Sequence, residues 1–151
     1  LQQVTNDRIG FLDQFGKQFF GINIVNHPVS QPLLDYYRML GSLASGRATR
    51  EAMKAFAFTD FTPDISSIKI PVLIIHGSAD KTVPIDTTSK KAAALIPDNQ
   101  FVIYEGAPHG LFYTHRERLN NDLIEFITEG SVRTVWNDAV LLPSNDALVT
   151  R

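Results

Sequence analysis

Apolar residues recur at helical spacing in the first third of the chain and at strand spacing in the middle. Ile9, Leu12, Phe15, Phe19 and Phe20 are three and four apart, which predicts an amphipathic helix over residues 1–20. Residues 21–32 interrupt it with Gly, Asn, Ser and two Pro. Leu33, Tyr36, Tyr37, Leu40 and Leu43 predict a second helix over 33–45, and a third is expected over 49–58 with Thr49 at its start. No strand is expected in the first 60 residues. The period changes after Asp60. Residues 70–77, Ile-Pro-Val-Leu-Ile-Ile-His-Gly, form a continuous apolar, β-branched run that reads as a strand covered on both faces. A helix is expected over 86–96, a strand over 100–104, and a helix over 114–128 with Leu119, Leu123, Ile124 and Ile127 on one face and Gly130 beyond its end.

Residues 70–128 therefore alternate strand, helix, strand, helix, the pattern of an α/β fold with a parallel sheet and crossover helices. Two strands are too few for such a sheet, so further strands are expected from elsewhere. Three segments follow from this reading: a helical segment 1–60, an α/β segment 61–130, and a tail 131–151 whose apolar residues keep no period.

Composition narrows the function classes. Apolar residues make up 44% and charged residues 20%, as in an ordinary globular protein. A net charge of −2, without a basic run, gives no footprint for nucleic acid or an anionic membrane. The absence of cysteine excludes disulfides, thiolate zinc sites and a cysteine nucleophile. No apolar run reaches the roughly 18–20 residues of a membrane span. Leu1-Gln2-Gln3-Val4 has neither an initiating Met nor a signal-like core, so the chain is expected to begin inside a longer protein, in the cytoplasm.

Ligands meet a parallel sheet just beyond the C-terminal ends of its strands. Two titratable residues fall there: Asp80 in His76-Gly77-Ser78-Ala79-Asp80 after the first strand, and His109 in Gly106-Ala107-Pro108-His109-Gly110 after the second. On neighbouring strands they emerge at the same edge. A carboxylate that binds one ring nitrogen of a histidine fixes its tautomer and leaves the other nitrogen as a general base. Either residue alone reads more simply as a turn former or a surface histidine. The pair, each member in a glycine-containing loop between strand and helix, points to catalysis.

An apolar strand, His-Gly-x-x-Asp and Val83-Pro84 resemble the acid loop of the α/β-hydrolases, and Gly-x-Pro-His-Gly resembles their histidine loop. Across residues 1–128 the chain resembles the aryl esterases and cofactor-free haloperoxidases (perhydrolases) of that superfamily, down to the segment Ala55–Asp64 that joins cap to sheet. The resemblance implies the C-terminal portion of an α/β-hydrolase fold preceded by a helical cap, with Asp80 and His109 as the acid and histidine of a Ser-Asp-His triad. It implies an acyl-enzyme mechanism on a small-molecule ester or carboxylic acid, with no cofactor and no metal. Peroxide as acceptor would give peracid and apparent haloperoxidase activity. The family's order is nucleophile, acid, histidine, and Gly-x-Ser-x-Gly is absent from this sequence. The resemblance places the nucleophile before Leu1, so the chain alone is expected to be inactive. Its open strand edges predict that it needs the missing N-terminal half or oligomerises.

The other candidates have simpler readings. Ser42 and Ser45 lie near glycines with the wrong spacing and are expected to end a helix. His76 is expected to be packed and hydrogen-bonded at the sheet edge, His115 to cap a helix or face solvent, and His27 to lie at the surface. Asp86 is expected to cap a helix. Phe11, Phe15, Phe19, Phe20, Tyr36 and Tyr37 are expected to form the core of the cap, and Phe112 to pack ordinarily. Two further functions stay open: a non-catalytic or truncated module, and another hydrolase branch with an Asp nucleophile, such as an epoxide hydrolase or dehalogenase.

Overall fold

The computed structural model describes residues 2–132. Residues 133–151, which hold nearly all of the expected tail, lie outside the described residues. The N-terminal third is helical, as its periodicity predicts. It contains α1 (Gln2–Asn6), α2 (Arg8–Phe19), α3 (Gln31–Leu43) and α4 (Gly46–Phe58). The single helix expected over 1–20 is divided at Asp7, whose carboxylate accepts from the Gly10 N–H and caps α2. Ser30 caps α3. Ser45 caps α4 through the Ala48 N–H, so Ser45 begins a helix rather than ending one and the cap is not Thr49. Thr49 lies one turn inside, its hydroxyl donating back to the Ser45 carbonyl.

A one-turn helix, α5 (Thr62–Ile65), follows α4. Then come β1 (Val72–Gly77), a 3-10 turn (Ile85–Thr87), α6 (Ser89–Leu95), β2 (Asn99–Tyr104), α7 (Leu111–Thr114) and α8 (Arg116–Glu129). The expected helix over 86–96 thus starts as the 3-10 turn. Asp86 lies within that turn and pairs with exposed Lys90 at 2.6 Å instead of capping. The expected helix over 114–128 stands as α8, preceded by the one-turn α7, and the Gly130 N–H donates to the Phe126 carbonyl to close it. No described helix is long and apolar enough to cross a membrane.

β1 and β2 pair in parallel, from Val72 opposite Asn99 to Gly77 opposite Tyr104, with α6 as the crossover. Among the described residues these two strands pair only with each other. Val102, Tyr104 and Ala107 form the buried centre, with Leu73, Ile75, Leu111, Leu119 and Val132 packed around them. A second cluster of Phe20, Val29 and Leu34 joins α2 to α3.

The apolar face of α8 is only partly buried. Leu119 turns inward, but Leu123, Ile124 and Ile127 are exposed, and the residue wholly buried on α8 is Asp122. The reason lies on β2. The buried Tyr104 hydroxyl donates to Asp122 Oδ2, and Arg118 lies over the Tyr104 ring at 4.0 Å. Burial, and then the hydrogen bond to Asp122, push the Tyr104 phenol well above its ordinary range, so it remains a donor. Changing Tyr104 to Phe leaves a buried carboxyl without this donor. Urea unfolding of that variant is expected to show a loss of about 1–3 kcal/mol.

Candidate active site

Asp80 and His109 leave the C-terminal ends of adjacent parallel strands, so the sheet itself brings their loops together. Gly77 closes β1 where the histidine loop crosses it. A Cβ on Gly77 would overlap the Ala107 carbonyl oxygen, and it would lie 2.7 Å from the carbonyl carbon and 2.9 Å from the Pro108 oxygen. That close approach allows the Ala79 N–H to donate to the Ala107 carbonyl at 3.1 Å. Ser78 ties the same loops from the exposed side. Its hydroxyl donates to Glu105 and accepts from the Gly106 N–H.

The Asp80 carboxylate is buried and fully engaged. Its Oδ1 accepts from the N–H groups of Thr82 and Val83, each at 2.8 Å. Its Oδ2 lies 2.7 Å from His109 Nδ1. An ionised carboxylate only accepts, so Nδ1 carries the proton. Nε2 of His109 makes no hydrogen bond among the described residues, and the side chain is one-third exposed. The geometry can hold an imidazole in one tautomer with its second nitrogen available to take a proton.

His109 is held from the helical segment as well. The Phe19 ring meets it edge-on at 4.8 Å, and the Gly110 N–H donates to the Phe19 carbonyl at 2.8 Å. Gly21, with φ of 71°, turns the chain there, and a Cβ at that position would lie 2.8 Å from Pro108 Cβ. The aromatic residues of the cap are therefore not uniformly core. Phe20 is buried, whereas Phe11, Phe15 and Phe19 form a row of neighbouring rings along α2 that ends on His109. Tyr36 and Tyr37 are exposed. Phe112 is half exposed and meets the rings of Phe19 and Phe20.

The other histidines follow their simpler readings in part. His76 is buried and hydrogen-bonded, to Ser89 and the Val83 carbonyl. His27 is exposed. His115 neither caps α8 with its side chain nor faces open solvent. It is half-buried, its Nδ1 near the Thr114 hydroxyl and its ring beside Tyr104. Among the described residues no group of histidines and carboxylates is arranged to hold a metal ion. The serines are otherwise occupied: Ser42 donates to the Met39 carbonyl and Ser45 caps α4.

Residues 58–140 match the model of the dienelactone hydrolase family. The chain is 38% identical over 117 residues to a non-heme chloroperoxidase of Streptomyces lividans, covering 78% of this chain and 42% of that protein. It is 37% identical over 109 residues to a bifunctional esterase/perhydrolase of Acinetobacter calcoaceticus, covering 72% and 40%. The crystal structure of a bromoperoxidase from Bacillus anthracis superposes with a TM-score of 0.79 at 37% identity, covering 83% of this chain and 46% of that one. The chain thus spans less than half the length of each of these relatives.

Proposed function

The chain belongs to the dienelactone hydrolase family of α/β-hydrolases, and from that premise we propose that it carries the acid and base of a serine hydrolase of the esterase/perhydrolase type. One observation carries the reading: Asp80 Oδ2 sits on His109 Nδ1 at 2.7 Å, at the sheet edge where this architecture gathers its chemistry. The relatives' names, chloroperoxidase and esterase/perhydrolase, support the reaction class.

In the proposed reaction a serine supplied by sequence outside these 151 residues attacks the acyl carbonyl of a small ester or carboxylic acid. His109 Nε2 takes the serine proton and returns it to the leaving group. Asp80 keeps the ring in the competent tautomer and offsets the charge it gains. The acyl-enzyme then passes to water, or to peroxide with formation of a peracid. The sequence that brings the nucleophile would also extend the two-stranded sheet. Ser42, Ser45 and Ser78 offer no substitute, since each is committed to backbone or loop contacts.

Labelling with a serine-reactive fluorophosphonate tests this. The full translation product of the gene is expected to label, and to stop labelling when His109 is changed to Ala. The 151-residue chain alone is expected not to label. Labelling of the 151-residue chain itself would place the nucleophile inside it. A full product that hydrolyses substrate without labelling would indicate a carboxylate nucleophile. Either result overturns the reading.

A further inference from the structure

Asp80 has a second imidazole beside it. His76, on β1, is buried, and its Nε2 lies 3.2 Å from the same Oδ2 that His109 binds. The tautomer of His76 follows from its partners. Nε2 is 2.9 Å from the Val83 carbonyl, which only accepts, so Nε2 carries a proton. In the neutral ring Nδ1 is then an acceptor, and the Ser89 hydroxyl at 2.6 Å is its donor. Ser89 is the first residue of α6, the helix that crosses between the two strands. A line of contacts therefore runs from α6 through His76 to the acid loop.

His76 acts on the carboxylate in two ways. Its N–H holds the carbonyl of Val83, the residue whose own N–H binds Asp80 Oδ1. The same nitrogen lies 3.2 Å from Oδ2, so the ring packs against the carboxylate while its proton goes to the Val83 carbonyl. A carboxylate held on both oxygens cannot swing away from His109, and its carboxyl plane is fixed relative to the ring it orients. We propose that His76 and Ser89 are positioning residues, which lock the Asp80 carboxylate in the orientation that binds His109 Nδ1. The inference rests on the acid–base reading of Asp80 and His109 for its functional consequence, but not for its geometry.

The test uses the full translation product carrying ¹⁵N-labelled histidine. The resonances of His27, His76, His109 and His115 are assigned by single His→Gln changes. Imidazole correlation spectra are expected to show neutral His76 protonated at Nε2, and a low-field resonance from the His109 Nδ1 proton held by Asp80. His76→Leu is expected to broaden or abolish that resonance. His76→Gln is expected to restore it, because the amide nitrogen reaches the place of Nε2 and still donates. Ser89→Ala is expected to weaken it while leaving His76 present, and this variant decides the matter if the Leu variant does not fold. In the full translation product, His76→Leu is expected to lower kcat about 10- to 100-fold, the usual cost of losing an outer orienting partner, with KM changed little.

An unchanged His109 resonance in folded His76→Leu and in Ser89→Ala would overturn the proposal. So would a His76→Gln variant as impaired as His76→Leu, since that would mean packing rather than a donated hydrogen bond. Failure of the acid–base reading has a different signature: the resonance would depend on His76 while turnover in the full product did not depend on His109.

Discussion

Changing Asp80 to Asn in the full translation product is expected to lower kcat/KM for a short-chain aryl ester by about 10⁴-fold, with little change in fold. The size of the effect comes from hydrogen-bond direction. Oδ1 of Asp80 accepts two backbone N–H groups, from Thr82 and Val83. The asparagine amide must put its oxygen there, because an NH₂ group against two N–H donors would leave all of them unsatisfied. The NH₂ group is then directed at His109. It donates to Nδ1 and drives the ring proton to Nε2, the atom that must be free to accept. Asn has nearly the size of Asp, so packing is kept and only the tautomer is lost. Circular dichroism that matches the parent, together with an ester assay within tenfold of it, would contradict this account.

Gly77→Ala is the second large effect. The position is not in the left-handed region, so the cost is not backbone strain. It is collision. The methyl group would occupy the space of the Ala107 carbonyl, where β1 and the histidine loop cross. A flexible side chain could move aside, but Ala107 and Pro108 are buried backbone, held by the bonds of Ala107 N–H to the Tyr104 carbonyl and Ala79 N–H to the Ala107 carbonyl. Overpacking ordinarily costs about 1–3 kcal/mol, and displacing a hydrogen-bonded loop adds to it. We expect a loss of about 3 kcal/mol or more in thermal or urea unfolding. The His109 resonance should vanish even below the unfolding transition, because the loop that carries the ring must move. A variant with stability within 1 kcal/mol of the parent, an order-of-magnitude bound set against that cost, would show that the crossing is looser than the close contact implies.

Much of the architecture was legible in the chain. The change of hydrophobic period near Asp60, and the alternation after it, define a helical segment followed by parallel α/β structure, and β1 and β2 lie within two residues of where the apolar runs place them. Asp80 and His109 could be singled out because strand ends in a parallel sheet fall on one edge, a rule that needs only the order of elements. What was misread was mostly capping. Asp7 divides a periodic helix, and Ser45, not Thr49, starts α4. Periodicity reports which face is apolar, but a single side-chain oxygen decides where the backbone enters the helix. Asp86 failed for a related reason: a tight 3-10 turn satisfied the backbone locally and left its carboxylate to Lys90.

The sequence by itself determined the order of elements, their approximate bounds and the two residues at the sheet edge, because these follow from local propensity and from period. Only the tertiary structure decided who meets whom. It turned Asp122 inward to Tyr104 where the pattern favoured Ile124 and Ile127, laid the Phe19–Gly21 turn against the histidine loop, required Gly77 to lack a side chain, and set His76 beside the carboxylate of Asp80. Each of these but the last, which joins residues four apart, is a contact between segments distant in the chain. Its energy depends on distance and on hydrogen-bond direction, which no local pattern of polar and apolar residues encodes.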